Sequence, residues 1–313
     1  MATADDPATP VLIIGVGRSG TQLLSWVLEQ YPSFYNSYEN RYIWTYGQRT
    51  GSDDMRSADE ATPRVKAFIR DYFRRRSAET GKIVVDKTPS NVFRVPFIHA
   101  VFPQAKILHV IRDGRGNVIS RYHEWYGNRD ASGAHPDNQG TSATRYRMAL
   151  LKSRWHHLSE MMRRRNVPPS RWPAFLSDNF APFLANMIVG RPVRYGERFP
   201  GMRDHLRSCG MLATCAAQWR EGVTHAVIEG RRLPACSYFE LRYEDLVRQP
   251  APVWERVSGF LGIPDPEKGI RALERAVVCE RAETWRSCLT REQMRSLEPH
   301  IRPTLEFLGY QWS

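Results

Sequence analysis

The chain has 313 residues, of which 42% are hydrophobic and 11% aromatic, enough for one globular domain with a full α/β core. Its net charge is +12 and only six of its 45 basic residues are lysines, so the expected ligands are anionic: nucleic acid, a sulfated or phosphorylated cofactor, or an acidic acceptor. No apolar run is long enough to span a membrane, and five cysteines without a C-x-x-C pair disfavour a zinc site or a disulfide framework and favour a reducing compartment.

Short apolar runs that alternate with helical stretches predict a parallel sheet with right-handed crossovers. The first strand covers 11–16 and leads into a helix from Thr21 to Gln30, which ends at Tyr31-Pro32 because proline cannot continue a helix. Three further strands are predicted at 82–87, 105–112 and 236–243, with a helix at about 115–126.

The composition changes after residue 126. Residues 127–144 are rich in glycine, serine, asparagine and aspartate, which predicts a loop, and residues 167–205 are interrupted by prolines and rich in aromatic side chains. Helices are predicted at 145–165 and 211–231, and again toward the C-terminus. We therefore predict one domain, 1–313, that contains an insert at 127–231.

Two arginine triplets, 74–76 and 163–165, lie in polar, helical segments, and we interpret them as solvated helix faces. No single face concentrates the basic charge, so nucleic acid is not the expected partner. The N-terminal stretch MATADDPATP has neither the basic nor the apolar region of a signal peptide.

The turn GVGRSGT, 15–21, has the composition of an anion cradle, because glycines let backbone N–H groups point inward and the following helix adds its positive dipole. It is not a Walker A loop, since Thr21 stands where a nucleotide triphosphatase carries lysine and the cation is Arg18, inside the turn. A dinucleotide-binding interpretation also fails, because no acidic residue ends a second strand at the required spacing. The turn predicts a terminal phosphate or sulfate group as its ligand.

Two more predicted strands end in residues that suit an anion. Lys87 ends the strand 82–87, where a buried ammonium group is costly unless an anion lies nearby. Arg112 ends the strand 105–112, and Ser120 follows eight residues later in the next helix. Because ligands of open α/β sheets bind at the carboxyl ends of strands, Arg112 and Ser120 are predicted to hold a second phosphate.

In this order and at these strand ends, the motifs resemble those of sulfotransferases that use 3′-phosphoadenosine 5′-phosphosulfate (PAPS). The resemblance is carried by Arg18-Ser19-Gly20-Thr21 and by Arg112 with Ser120. The segments FELRYEDLVRQPAPVWERVSGFLGIP and ETWRSCLTREQMRSLEPHIRPTLEFLGY are also similar to the family, so that the resemblance covers about 9–125 and 236–312.

The resemblance implies an α/β, P-loop-like three-layer fold with a central parallel sheet flanked by helices, plus a helical and irregular insert that binds the acceptor. It implies that Arg18, Ser19, Gly20 and Thr21 hold the 5′-phosphosulfate of the co-substrate. It also implies that Arg112 and Ser120 hold the 3′-phosphate, that Tyr243 lies near the nucleotide, and that no metal takes part.

The branch of the family is indicated by the candidate base. Cytosolic aryl and steroid sulfotransferases carry a catalytic histidine two residues after the strand lysine, where this chain has Pro89. The distance of Glu39 from Arg18 instead resembles the tyrosylprotein, carbohydrate and bacterial enzymes, which use a carboxylate. The resemblance therefore implies catalytic roles for Glu39, Lys87 and Arg18. One departure is Thr284, which stands where some members carry a cofactor-binding lysine.

The function implied is transfer of the sulfuryl group from PAPS to a hydroxyl of a glycan, a natural product or a tyrosine-like acceptor, with release of adenosine 3′,5′-bisphosphate (PAP). We expect a cytoplasmic enzyme of bacterial type without a membrane span. Two alternatives stay open: a P-loop-type nucleotide-dependent phosphotransferase, or kinase, which would need magnesium and a loop lysine, and a non-catalytic polyanion-binding protein.

Three further polar residues lie near these motifs, and each has its own expected role. His109 lies inside a buried strand and is expected to belong to the core. Asp86 precedes Lys87 and is expected to orient it or the neighbouring backbone. Arg115 is expected either to reach the 3′-phosphate or to lie on the surface.

Overall fold

A computed structural model of the chain describes residues 9–37, 39–49, 52–126, 172–173, 196–277, 283 and 285–312. The described strands are β1 (Val11–Ile14), β2 (Phe34–Asn36), β3 (Ile83–Lys87), β4 (Lys106–Ile111) and β5 (Tyr238–Arg242). The described helices are α1 (Thr21–Glu29), α2 (Arg41–Trp44), α3 (Pro63–Thr80), α4 (Val95–Val101), α5 (Gly114–Tyr126), α6 (Met202–Gly230), α7 (Tyr243–Arg248), α8 (Pro250–Leu261), α9 (Glu267–Ala276), α10 (Trp285–Cys288) and α11 (Arg291–Phe307). Short 3-10 segments lie at Ala58–Glu60 and Pro89–Phe93.

The five strands form one sheet in the order β2-β3-β1-β4-β5, and every pairing is parallel. The predicted α/β fold with a central parallel sheet is thereby confirmed, and the four predicted strands all occur. β2 was not predicted, because a three-residue strand shows no periodicity and forms only by pairing Phe34 with Ile83 of β3. The order places β1 in the middle of the sheet.

Helices cover both faces of the sheet. Val11 and Ile13 of β1, with Leu108 and Val110 of β4, belong to a core shared with α1, α7, α8 and α9. Because side chains alternate along a strand, His109 points to the opposite face. There its Nδ1 lies 2.6 Å from the Tyr238 hydroxyl, which donates to the backbone oxygen of Ala226 in α6.

Several helix boundaries follow from local chemistry. Thr62 caps α3 by accepting a hydrogen bond from the Val65 N–H, Pro63 is its first residue, and Gly81 ends it with a positive φ. Thr290 and Gln293 form a capping box at the start of α11. These signals explain why the helices begin and end where they do.

The chain divides into two compact units. The first contains Met1–Ser120 and Glu197–Ser313, and the second contains Arg121–Gly196. The predicted insert, 127–231, differs from the second unit at its C-terminal end, because α6 packs in the first unit against α4, α11 and the Pro89–Phe93 segment. A role in acceptor binding for the insert 127–231 stays a prediction, and the predicted loop at 127–144 and helix at 145–165 lie outside the described residues.

Helix α6 is longer than the predicted helix 211–231. It begins at Met202, and Gly210 interrupts it with φ 75° and ψ −176°, a conformation that glycine tolerates. The predicted helix corresponds to the part after this kink, where twelve described residues are buried: Met211, Thr214, Cys215, Ala216, Ala217, Gln218, Trp219, Gly222, Val223, Ala226, Val227 and Gly230.

The arginine triplet at 74–76 is only partly a solvated face. Arg74 and Arg75 are exposed, as predicted, and both pair with Asp71. Arg76 instead is buried and pairs with Glu79 at 2.7 Å. The second triplet lies outside the described residues. Within the part of the chain that the structure describes, no helix has both the length and the apolarity needed to cross a membrane.

His109 is fully buried, and burial lowers its pKa to about 3, which confirms its place in the core. Because the unfolded chain binds a proton near pH 6.5 and the folded chain does not, this residue makes stability fall as the pH drops below 6.5. We expect acidification from pH 7.5 to 5 to cost about 2 kcal/mol through His109 alone. Urea unfolding of wild type and His109→Asn at both pH values measures it.

The asparagine introduced by His109→Asn keeps an N–H donor for Tyr238 but cannot titrate, so the variant should lose about 2 kcal/mol less on acidification than wild type. The exposed His123 provides the control, and His123→Asn should lose as much free energy of unfolding on acidification as wild type does. Equal losses in wild type and His109→Asn would contradict the assignment.

Candidate active site

The turn after β1 lies at the centre of the carboxyl edge of the sheet. Ile13 is paired with Lys87 of β3, and Ile14 is paired with His109 of β4. From β1 the chain passes through α1 to β2 at the edge of the sheet and returns to β3 beside β1. It then crosses to β4 on the other side of β1, so the turn stands where the strand order reverses. Open α/β sheets bind ligands at this topological switch point.

The backbone of the turn requires its glycines. A β-carbon on Gly15 would stand 2.6 Å from the backbone oxygen of Val110, and one on Gly20 would stand 2.8 Å from Cε2 of Tyr243 and closer still to Cδ2. Gly20 also has φ 93° and precedes the first residue of α1, Thr21. Arg18 has φ 73° and is the one non-glycine residue among those described with a positive φ.

Side chains from the β4–α5 region hold this turn. Asn117 donates through Nδ2 to the Gly17 oxygen at 2.9 Å and to the Ser19 hydroxyl at 3.0 Å. Arg112 donates through Nη1 to the Arg18 oxygen at 2.8 Å. Arg18 in turn donates through Nε to the Ser120 hydroxyl at 3.1 Å. These bonds turn the Gly17 and Arg18 carbonyls toward α5 and Arg112.

Arg112 is fixed from two further directions. Its guanidinium carbon lies 4.8 Å from the centroid of the Tyr243 ring, and its backbone oxygen accepts a hydrogen bond from Nε1 of Trp219. Burial lowers the pKa of the Arg112 guanidinium, while Tyr243 and Glu244 act in the opposite direction. The structure therefore brings Arg18, Ser19, Gly20, Thr21, Arg112, Ser120 and Tyr243 into one cluster.

Glu39 and Lys87 meet at the end of β3. The Lys87 ammonium nitrogen lies 2.5 Å from Oε1 of Glu39. The Lys87 side chain is almost completely buried, whereas that of Glu39 is partly exposed. The ion pair supplies the anion that a buried lysine needs.

The residues that position Glu39 lie beside it in the chain. Asn40 donates through its backbone N–H to the Thr88 hydroxyl at 3.0 Å and through Nδ2 to Asp86 at 2.8 Å. Asp86 also accepts a hydrogen bond from Nε1 of Trp44. These bonds of Asp86 hold the segment that carries Glu39, and a role of Asp86 in orienting Lys87 or the neighbouring backbone stays a prediction.

Sequence reasoning did not identify Glu197 and Asn117. Glu197 is buried and accepts a 2.6 Å hydrogen bond from the Gly17 N–H, from a position 180 residues away in the chain. Asn117 lies in the predicted helix after Arg112, one turn before Ser120. Its spacing from Ser120 placed it on the same helix face, which was the available signal, whereas nothing local marks Glu197.

The surface role expected for Arg115 is wrong, whereas its contact with the 3′-phosphate stays a prediction. Arg115 is buried, its Nη2 lies 2.7 Å from Oδ2 of Asp113, and its guanidinium carbon lies 4.0 Å from the ring centroid of Trp285. It links α5 to the C-terminal segment instead. Thr284, the departure from the family pattern, lies outside the described residues.

The sequence of the chain also matches a protein-family model along most of its length. A protein-family model described as "Sulfotransferase family" matches residues 10–174 and 195–267, well over half of the sequence. The chain belongs to the sulfotransferase family. As a member of that family it is a transferase that moves sulfuryl groups, and the expected family and enzyme class are confirmed.

Solved sulfotransferase structures resemble the chain along nearly all of its length. The sulfotransferase domain from the curacin biosynthetic pathway is 13% identical with a TM-score of 0.50, and the match covers 97% of this chain and 99% of that one. Sulfotransferase STF9 from Mycobacterium avium is 14% identical, with a TM-score of 0.48 and coverage of 98% and 79%. Mouse sulfotransferase SULT7A1 complexed with PAP is 13% identical, with a TM-score of 0.48 and coverage of 96% and 85%. At these identities the curacin domain supports the fold alone.

The contact between Gly20 and Tyr243 can be tested by substitution. We expect Gly20→Ala to destabilise this sulfotransferase by about 2 kcal/mol or more, from the positive φ together with the collision with the Tyr243 ring. In a Tyr243→Ala background the collision is gone, so the cost should fall by at least about 1 kcal/mol. Urea unfolding of the four proteins of this cycle measures the difference.

Gly81→Ala is the matched control, because Gly81 also has a positive φ, 66°, but a β-carbon there meets nothing within 4 Å. Its cost should be the same in both backgrounds. An equal cost of Gly20→Ala in both backgrounds would show that the Tyr243 ring does not restrict this turn.

Proposed function

We propose that this sulfotransferase moves the sulfuryl group of PAPS to an acceptor hydroxyl, with Glu39 as the general base. The observation that carries the proposal is the 2.5 Å approach of Lys87 to Glu39 at the edge of the sheet where β1 delivers the turn 15–20. A carboxylate and a cation beside an anion cradle are the groups that such a transfer needs.

The donor end is assigned to the turn. The N–H groups at the start of α1 and the side chains of Arg18, Ser19 and Thr21 suit the 5′-phosphosulfate, since a helix start attracts anions. The hydrogen bonds of Asn117 and Arg112 support this role, because they give N–H partners to two loop carbonyl oxygens that would otherwise repel the phosphosulfate.

The 3′-phosphate is assigned to Arg112 and Ser120. Both already contact Arg18, so one cluster can hold both anionic groups of the nucleotide. The ring of Tyr243 beside Arg112 supports a nucleotide at this place.

The reaction balances without a further reagent. The acceptor oxygen forms a bond to sulfur while the bond from sulfur to the 5′-phosphate oxygen breaks, and PAP leaves with that electron pair. Glu39 takes the hydroxyl proton, and the cations Lys87 and Arg18 stabilise the charge on the sulfuryl and bridging oxygens. The acceptor class remains the one expected above: a hydroxyl of a glycan, a natural product or a tyrosine-like compound.

The base is tested by Glu39→Gln. We expect turnover to fall about 10²–10⁴-fold, the usual contribution of a general base, while the dissociation constant for PAP stays within about threefold of wild type. The assay is an acceptor screen with PAPS read by mass spectrometry, and calorimetry gives the PAP affinity. We expect turnover to be unaffected by a chelator, in contrast to a magnesium-dependent kinase.

Glu29→Gln is the control, because Glu29 is an exposed carboxylate at the end of α1 and should not affect turnover. Full activity of Glu39→Gln would remove Glu39 from the mechanism. Transfer activity lost upon chelation would contradict the metal-free mechanism.

If Arg112 and Ser120 hold the 3′-phosphate, variants of these residues should distinguish less well between nucleotides with and without that phosphate. Wild type should bind PAP more tightly than adenosine 5′-monophosphate, which lacks the 3′-phosphate. Arg112→Ala and Ser120→Ala should each narrow this preference, Arg112→Ala by about 10–100-fold, since a charge-assisted hydrogen bond is lost. Calorimetry with the two nucleotides measures it, with the exposed Arg74→Ala as the control. An unchanged preference in both variants would place the 3′-phosphate elsewhere.

A further inference from the structure

Glu197 places a buried carboxylate directly against the donor turn. Its Oε1 accepts the 2.6 Å hydrogen bond from the Gly17 N–H, and 2% of the residue is exposed. A carboxylate at a turn proposed to hold an anion looks unfavourable, because like charges repel. Its presence requires an explanation other than ligand binding.

The position of Glu197 is set by hydrogen bonds to its own backbone oxygen and to the backbone of the next residue. Its backbone oxygen accepts a 2.6 Å hydrogen bond from Nε2 of Gln218 in α6. The next residue, Arg198, pairs with Asp54 twice: its N–H donates to Oδ2 of Asp54, and its oxygen accepts from the Asp54 N–H, both at 2.8 Å. Burial raises the pKa of Asp54, but Arg41, Arg94 and Arg198 together keep that pKa below its usual value. The carboxylate of Glu197 is therefore delivered to the turn by a fixed backbone.

The turn that receives it has two possible forms. The Ser19 N–H donates to the Val16 oxygen at 3.1 Å, which makes Val16–Ser19 a four-residue turn. Arg18 is its third residue, and a positive φ at this position belongs to type II turns, which prefer glycine or asparagine there. An arginine favours the type I form instead, in which the peptide between Gly17 and Arg18 is flipped.

Asn117 opposes that flip directly, and Glu197 fixes the peptide group that precedes it. Asn117 donates to the Gly17 oxygen, which belongs to the peptide that would flip, and Glu197 accepts from the Gly17 N–H, which belongs to the peptide before it. Together they fix both peptide groups that flank Gly17. The bond to Glu197 is charge-assisted and buried, so it is the stronger kind of hydrogen bond.

We propose that Glu197 is a positioning residue for the donor turn: with Asn117 it holds Val16–Ser19 in the form in which Arg18 has a positive φ and can act on the donor. This proposal rests on the proposed function, because it uses PAP as the ligand. It assigns to residue 197 a task in the reaction that is exerted through the turn.

The test compares Glu197→Ala with Glu197→Gln by calorimetry with PAP and by steady-state kinetics with PAPS. The Ala variant should bind PAP about 10–100-fold more weakly, the effect of losing one charge-assisted hydrogen bond, with a corresponding rise in the KM for PAPS. Glu197→Gln keeps an accepting oxygen and should stay within about threefold to tenfold of wild type. Glu60→Ala is the control: Glu60 pairs with the buried Arg56, so its loss should lower the Tm without changing PAP affinity.

A second variant keeps the test valid if Glu197→Ala does not fold. Glu197→Asp keeps the buried carboxylate but shortens the side chain, so it withdraws the acceptor from the Gly17 N–H without removing the charge. It should fold and bind PAP about tenfold more weakly than wild type. Wild-type PAP affinity in this folded variant would overturn the proposal.

The outcomes separate the two proposals. If wild type does not bind PAP, the proposed function fails. If wild type binds PAP and folded Glu197→Ala binds it equally well, the function stands and the role of Glu197 is structural only. If Glu197→Gln is as defective as Glu197→Ala, hydrogen-bond acceptance is not what residue 197 supplies.

Discussion

The hydrogen bonds that hold Gly17 and Arg18 in place govern the arrangement of the whole site. The turn they fix follows the central strand, so β3 with Lys87 lies on one side of it and β4 with Arg112 on the other. Arg18 stands in a conformation that costs an L-residue about 1–2 kcal/mol. Such a conformation persists only where the surroundings determine it, and here the surroundings are the groups of the site themselves.

The cation beside the turn is paired with a carboxylate. Lys87 is nearly buried and is neutralised by Glu39, whose segment is attached to Asp86 through Asn40. Under the proposed function an acceptor hydroxyl has to compete with Lys87 for the Glu39 carboxylate. The ion pair would then loosen as the donor brings its own negative charge toward Lys87, so the base would become available when the donor is bound.

Most of the sheet was predictable, because each long strand is an apolar run bounded by glycine, proline or charge. The strands 83–87 and 106–111 lie within one residue of their predicted ends. The Arg18, Arg112 and Ser120 cluster was also predictable, since parallel strands bring their carboxyl ends to one edge. β2 escaped prediction because its three residues become a strand only against β3. The surface role expected for Arg115 was wrong because sequence gives no sign that Trp285 would cover it.

The residues that could not be predicted are those that compensate for a local conflict. Taken alone, GVGRSGT favours an arginine with negative φ, and the folded turn has the opposite sign. A sequence that breaks a local preference needs a compensating contact, and functional sites are where such conflicts concentrate. The compensation comes from Asn117 and, across 180 residues, from Glu197, which the fold and not the motif brings to Gly17. Under the proposed function, the motif specifies which side chains meet the donor, while the return of the chain after the second unit specifies the conformation in which they do so.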